Sequence, residues 1–128
     1  DCEEMIQRAL DRYAEDGSGL NAVLLRESGT PIGLCGLLTQ TVDGEAELEI
    51  GYHFLPAHWG HGYATEAAIA CKRFAAERAL VRSVISLIDE DNIRSQAVAK
   101  RNGMLPGKIT VHRGVPAIVF RTTLAPAS

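Results

Sequence analysis

Residues 56–66 read Pro-Ala-His-Trp-Gly-His-Gly-Tyr-Ala-Thr-Glu, and two glycines stand there between an alternating strand pattern and a helical pattern. Gly60 and Gly62 carry no side chain that would block an approaching ligand. The first turn of a helix leaves four backbone N–H groups without partners, and the helix dipole adds partial positive charge. The segment therefore predicts a site for a phosphate or pyrophosphate, with a tight turn that binds nothing as the alternative.

The composition is that of an ordinary globular domain. The chain has 128 residues, of which 46% are hydrophobic and 23% charged, and its net charge is −3. This length is typical of one domain, and the acidic balance lacks the dense basic patch of nucleic-acid binding proteins. No apolar run reaches the ~18 residues that a membrane span needs. We therefore expect one cytoplasmic domain over residues 1–128 that binds neither nucleic acid nor a membrane.

The cysteines and histidines do not form a pattern of metal ligands. Cys2, Cys35 and Cys71 are an odd set without CxxC spacing, which favours reduced thiols over a disulfide framework or a zinc site. Three histidines lie close together without helical spacing or an accompanying carboxylate, namely His53, His58 and His61. We expect no metal site.

Hydrophobic periodicity predicts the element order α-β-β-β-α-β-α-β-β. A first helix begins near Cys2, where apolar residues recur at helical spacing. The expected strands are 20–27, 32–41, 47–54, 82–88, 108–112 and 117–123, and the later helices are 63–80 and 95–102. Asp43-Gly44 and Arg113-Gly114 mark hairpin turns. This order predicts the α/β (α+β) class, with helices packed on a mixed sheet.

Several segments resemble one family in their order along the chain. Trp59-Gly60-His61-Gly62-Tyr63-Ala64 is similar to the Arg/Gln-x-x-Gly-x-Gly/Ala signature of the GNAT superfamily of N-acetyltransferases, although Trp59 departs from its first position. Residues 50–55, 59–67 and 91–95 resemble the branch of ribosomal-protein N-terminal acetyltransferases. The resemblance implies a GNAT-like, mainly antiparallel sheet with helices on both faces. It also implies that this domain lacks the first strand and helix of the family.

The resemblance implies acetyl-CoA as the acetyl donor. Its pantetheine arm would enter a gap between two parallel strands that splay apart and would pair with free backbone groups at Phe54 and Leu55. Its pyrophosphate would rest on the N–H groups of residues 60–65, and Asn92 would contact the pantetheine or face the thioester. The expected cofactor-binding residues are Phe54, Leu55, Gly60, His61, Gly62, Tyr63, Ala64, Thr65 and Asn92.

Two residues are candidates for proton transfer. The acceptor amine must lose a proton before it attacks the thioester, and the departing thiolate must gain one. Glu49 lies on the polar face of its strand with His53, and the resemblance implies a base at this position; a solvated or salt-bridged carboxylate is the alternative. Ser95 is the candidate donor to the thiolate, with a structural role at the helix start beside Asn92 as the alternative.

These residues predict an N-acetyltransferase that moves an acetyl group from acetyl-CoA to a primary amine by direct attack in a ternary complex. The acceptor is a protein N-terminus or a small-molecule amine. A non-catalytic acyl-CoA-binding sensor or interaction module is the alternative, and a nucleotide binder using the same loop is a third reading. An unpaired strand edge at Leu20 would need covering, which predicts a homodimer.

Overall fold

The computed structural model describes residues 21–25 and 27–124. Within them the sheet has six strands: β1 (Asn21–Leu24), β2 (Pro31–Val42), β3 (Glu45–Phe54), β4 (Ser83–Asp89), β5 (Leu105–His112) and β6 (Val115–Thr123). The helices are α1 (Tyr63–Glu77) and α2 (Ile93–Arg101), and a short 3-10 helix covers Pro56–His58. The strand order is β1-β2-β3-β4-β6-β5, and among these six described strands only β3 and β4 pair in parallel. The mixed, mainly antiparallel sheet is therefore confirmed.

Two tight turns set the register of the longest hairpins. Asp43 and Gly44 join β2 to β3 with φ values of 50° and 87°. Arg113 and Gly114 join β5 to β6 with φ values of 53° and 79°. Positive φ at both central residues is the geometry that suits the twist of the flanking strands. Both predicted hairpins are confirmed, because the turn chemistry is local to each pair of residues.

The main core lies between the sheet and the two helices. α1 buries a stripe of small residues, which lets the helix lie close to the strands. The sulfur atoms of Cys35 on β2 and Cys71 on α1 lie 3.4 Å apart in this core. The Cys71 thiol and burial together raise the pKa of Cys35. Both cysteines therefore pack as small core residues, as the sequence predicted. α2 adds Val98 and Ala99 to the same core.

Some expectations fall on the segment before β1. The predicted first helix near Cys2, and with it a helix on the second face of the sheet, lies outside the described residues. The buried residues of α1 and α2 belong to a single core cluster. No helix in the described part of the chain is long and apolar enough to cross a membrane.

The parallel strands β3 and β4 meet at one end and diverge at the other. They pair at one position, Glu49 opposite Ile85. β4 and β6, in contrast, keep their register along the whole of β4. The short β3–β4 ladder fits the splayed pair that the family resemblance implied.

A side-chain ion pair joins β3 to its neighbours at the end where β3 and β4 lie together. Arg121 of β6 reaches across β4, and its two terminal nitrogens donate to the two carboxylate oxygens of Glu47 on β3. The same guanidinium donates to Ser83 Oγ at 2.9 Å. A bidentate pair of this kind is stronger than a single neutral hydrogen bond. Three strands are thereby joined just before β3 and β4 separate.

The Glu47 pair predicts a pH-dependent contribution to stability. Arg121 lowers the pKa of Glu47 below its ordinary value of 4.5. A lowered folded-state pKa means that the stabilisation is complete above the unfolded value and is lost as the pH falls through the folded value. We expect Glu47→Gln to lower the free energy of unfolding by about 1 kcal/mol near neutral pH, and by less in acid. Urea unfolding at several pH values measures the difference.

Glu45→Gln is the matched control, since Glu45 is an exposed residue of the same strand. This control should cost less than Glu47→Gln near neutral pH. A difference between wild type and Glu47→Gln that stays constant from neutral to acid pH would contradict the assignment.

Candidate functional site

A cleft of about 1010 Å³ opens beyond the end of β3. Its lining comes from the last residues of β3, the loop after β3, the helix α1, and Asn92 with the helix α2. The cleft brings together most of the residues predicted from the sequence, namely Phe54, Gly60, Gly62, Tyr63, Ala64, Thr65, Asn92 and Ser95. Leu55, His61 and Glu49 lie outside its lining.

The first turn of α1 faces this cleft without a side-chain cap. Gly62 is the N-cap residue, with φ 78°, and it has no side chain that could accept a hydrogen bond from the first-turn N–H groups. Gly60 also has positive φ, 84°. A Cβ atom at either glycine would meet no atom within 4 Å, so a side chain there would extend into open space beside the cleft. This geometry fits an anion held by backbone N–H groups.

Leu55, expected at the cofactor site, already has partners within the chain, and its contact with a cofactor stays a prediction. Its N–H donates to the Ile32 carbonyl at 2.9 Å, and its carbonyl accepts from the His58 N–H at 2.9 Å. Both backbone groups of Leu55 are thus used within the chain. Because neighbouring residues of a strand point their backbone groups in opposite directions, the N–H of Phe54 faces away from β2, towards the gap.

Trp59 links the two walls of the cleft. Its Nε1 donates to the Phe54 carbonyl at 2.9 Å, which uses one of the backbone groups expected to be free. Its ring lies under the Arg94 guanidinium, 4.4 Å from the ring centroid. Trp59 follows β3, whereas Arg94 lies in the first turn of α2, after β4. The cation–π contact therefore spans the cleft, and no sequence pattern predicted it.

Further lining residues follow helical spacing from the predicted ones. Ile69 and Arg73 lie four and eight residues after the predicted Thr65 on α1. On α2, Arg101 lies seven residues after Arg94, and neither arginine was among the predicted site residues. Positions three or four apart share a helix face, so this spacing was the available signal. The lining includes three arginines and one glutamate. The excess of positive charge favours an anionic ligand.

The start of α2 is held in place by two hydrogen bonds. Asn92 caps the helix, with its Oδ1 accepting from the Ser95 N–H at 3.1 Å. Tyr52 on β3 donates its hydroxyl to the Ser95 carbonyl at 2.9 Å. Burial raises the pKa of Tyr52, so the phenol stays a neutral donor. Asn92 therefore has the structural role at the helix start that was the alternative to cofactor binding. Contact of Asn92 or Ser95 with a cofactor stays a prediction.

Glu49 is buried beside the point of divergence, with 6% of its surface exposed. One carboxylate oxygen accepts from Gln40 Nε2 at 2.9 Å, and the other accepts from the Leu87 N–H at 2.8 Å. A carboxylate has about four acceptor positions, so each oxygen keeps capacity for one further hydrogen bond. Its action as a base stays a prediction. His61, also expected at the cofactor site, stacks on Tyr63 with ring centroids 5.4 Å apart.

Comparison with known proteins places the chain in a family. Residues 1–105 match the family model of the acetyltransferase (GNAT) domain. The chain belongs to the GNAT acetyltransferase family. It is 36% identical over 108 residues to the uncharacterized protein YkkB of Bacillus subtilis (strain 168), a match that covers 83% of this chain. The chain spans 63% of the length of that relative.

Solved structures share the fold. An acetyltransferase from Agrobacterium tumefaciens str. C58 has a TM-score of 0.70 and 29% identity, covering 89% of this chain and 66% of that one. A protein described as a ribosomal-protein-serine acetyltransferase from Vibrio cholerae has a TM-score of 0.67 and 23% identity, covering 94% and 72%. An aminoglycoside acetyltransferase solved with coenzyme A and kanamycin has a TM-score of 0.68 and 16% identity, covering 91% and 73%. The last two likenesses show the fold alone.

The Trp59–Arg94 contact predicts a fluorescence change. Trp59 is the single tryptophan of the chain, so its emission reports on the cleft. We expect Arg94→Gln to shift the emission to longer wavelength, because the indole loses its cover and meets more water. The lost contact should cost about 0.5–1 kcal/mol in urea unfolding. Arg78→Gln is the matched control, since the Arg78 guanidinium covers the Phe74 ring at 4.8 Å. Identical emission spectra for Arg94→Gln and wild type would contradict the contact.

Proposed function

We propose that this chain transfers an acetyl group from acetyl-CoA to a primary amine. The observation that carries the proposal is the first turn of α1, which has no side-chain cap and faces the cleft beyond the end of β3. Gly60 and Gly62 leave the approach to that turn open. The aminoglycoside acetyltransferase with the same fold was solved with coenzyme A and an amine-bearing antibiotic, which supports both reactants.

The residues of the cleft fit coenzyme A in their charge and in their backbone hydrogen-bonding groups. The N–H groups at the start of α1 suit the pyrophosphate, because aligned peptide dipoles favour negative charge there. Arg73, Arg94 and Arg101 add positive charge along the lining. The N–H of Phe54 is placed to pair with an extended pantetheine arm as an added strand would. Asn92 stands on the opposite wall.

The chemistry asks mainly for positioning from the protein. Acetyl-CoA supplies the activated thioester, and the cleft holds the acceptor nitrogen against the carbonyl carbon. A C–N bond forms, the C–S bond breaks, the amine loses a proton and the thiolate gains one. We assign the base to Glu49, acting through a water molecule, and the acid to Ser95 in the cleft. The primary amine belongs to a protein N-terminus or to a small molecule.

One observation favours the non-catalytic alternative. Glu49 lies outside the cleft lining, and both of its oxygens already accept hydrogen bonds. A domain that binds acyl-CoA as a sensor or interaction module would need the cleft and no base. Binding and turnover therefore have to be measured separately. The homodimer and the cytoplasmic location stay predictions.

Acetyl-CoA binding should depend on Gly62. We expect Gly62→Ala to weaken binding at least about tenfold, which corresponds to about 1.4 kcal/mol. The added methyl group extends into the open space beside the cleft, and the left-handed backbone is strained. Gly114→Ala is the matched control, because Gly114 has φ 79° and equally open surroundings, outside the cleft lining. Isothermal titration calorimetry measures both variants.

ATP and NAD serve as competing ligands in the same titration. Competition by either would support a nucleotide binder instead of an acyl-CoA binder. Absence of acetyl-CoA binding by the folded wild type would overturn the proposed function.

Glu49→Gln separates the base from the binding site. The glutamine oxygen can still accept the Leu87 N–H, so we expect affinity for acetyl-CoA to stay within about twofold of wild type. Turnover of an amine panel, followed by release of free thiol, should fall about a hundredfold or more if the carboxylate is the base. Glu45→Gln is the control on the same strand. Tight binding without turnover in wild type would establish the non-catalytic module.

A further inference from the structure

The parallel ladder between β3 and β4 ends in side-chain hydrogen bonds. With Glu49 opposite Ile85, the next residues along the strands, Ile50 and Ser86, would also lie opposite each other. In a regular parallel ladder the Leu87 N–H would then donate to the Ile50 carbonyl. That bond would carry the pairing one step further and bring the two strands together beyond the present point of divergence.

Both backbone groups bond to side chains instead. The Leu87 N–H donates to a carboxylate oxygen of Glu49 at 2.8 Å. The Ile50 carbonyl accepts from the Ser86 hydroxyl at 2.7 Å. The two side chains therefore satisfy the donor and the acceptor that would otherwise bond to each other.

Burial makes these two bonds costly to lose. Ser86 has 1% of its surface exposed and Glu49 has 6%. A buried polar group without a partner costs about 1–3 kcal/mol, so the backbone groups require a partner of some kind. Gln40 holds the second oxygen of Glu49 at 2.9 Å and restrains the carboxylate from the side of β2.

Pairing elsewhere in the sheet indicates that β3, rather than β4, turns away where the two strands separate. β4 stays in register with β6 on its other side, and Leu87 itself pairs with Val119. The Glu47–Arg121 pair holds β3 and β6 together two residues earlier along β3. The separation therefore begins at Glu49, where the first side chain replaces a ladder bond.

We infer that Glu49 and Ser86 are positioning residues that stop the β3–β4 ladder and thereby keep the cleft open. Ser86 carries no role in the proposed chemistry, and Glu49 acts here through an acceptor oxygen, independently of any proton transfer. The identity of the ligand that enters the gap rests on the proposed function. The hydrogen-bond exchange that opens the gap does not, because it follows from the bonds that Glu49 and Ser86 make to the two strands.

The double variant Glu49→Ala/Ser86→Ala removes both side-chain partners. The Leu87 N–H and the Ile50 carbonyl are then left with each other, so the ladder gains a bond and the gap narrows. We expect acetyl-CoA affinity to fall at least about tenfold in calorimetry, whereas Glu49→Gln keeps the acceptor oxygen and stays within about twofold of wild type. Thr110→Val is the control for loss of a buried hydroxyl, since Thr110 lies on β5 and bonds to Asp43.

Nuclear magnetic resonance tests the exchange without any ligand. Scalar coupling through a hydrogen bond identifies the acceptor of each amide. In wild type the Leu87 nitrogen should couple to the side-chain carboxyl carbon of Glu49. In the double variant it should couple to the backbone carbonyl carbon of Ile50. Thr110→Val should keep the wild-type coupling.

Each outcome decides the inference. Coupling of Leu87 to Ile50 in wild type would overturn it, as would a folded double variant that binds acetyl-CoA like wild type. If the double variant does not fold, Ser86→Ala alone replaces it, and unchanged affinity there would remove Ser86 from the assignment. If wild type binds no acetyl-CoA, the proposed function fails, and the coupling measurement still decides the ladder.

Discussion

The hydrogen bond from the Leu87 N–H to the Glu49 carboxylate determines how far the two parallel strands stay together. Backbone groups in a sheet must find partners, and here a side chain supplies the partner that the neighbouring strand would have supplied. The Ser86 hydroxyl does the same for the Ile50 carbonyl. The cleft follows from this exchange, because each strand can leave the other without exposing an unsatisfied buried group.

Two neighbouring positions of β3, before and at the point of separation, make different kinds of contact. Glu47 and Arg121 form a bidentate ion pair that draws three strands together, whereas Glu49 accepts neutral donors at the point of separation. Beyond that point the uncapped turn of α1 faces the gap. Small residues on the buried face of α1 let the helix lie close to the sheet, which places that turn beside the strand ends. This placement suits the extended, anionic ligand of the proposed function.

Features set by neighbours in sequence were predictable. The turns at Asp43-Gly44 and Arg113-Gly114, the alternation of β3 and the glycines before α1 all depend on local backbone preference. Features set by distant partners were not. Leu55 has its backbone groups paired to Ile32 and His58. The first of these partners lies 23 residues away, and only the register of β2 against β3 brings it there.

By itself, the sequence determined the fold class, the family and part of the lining of the cleft, because these depend on periodicity, turn chemistry and a contiguous motif. Only the tertiary structure decided what opens the cleft and what crosses it. Glu49 meets Leu87 from 38 positions away, and Trp59 meets Arg94 across the gap. Such contacts arise from strand order and register, which bring together residues of different elements. The spacing of residues along a single helix or strand cannot predict them.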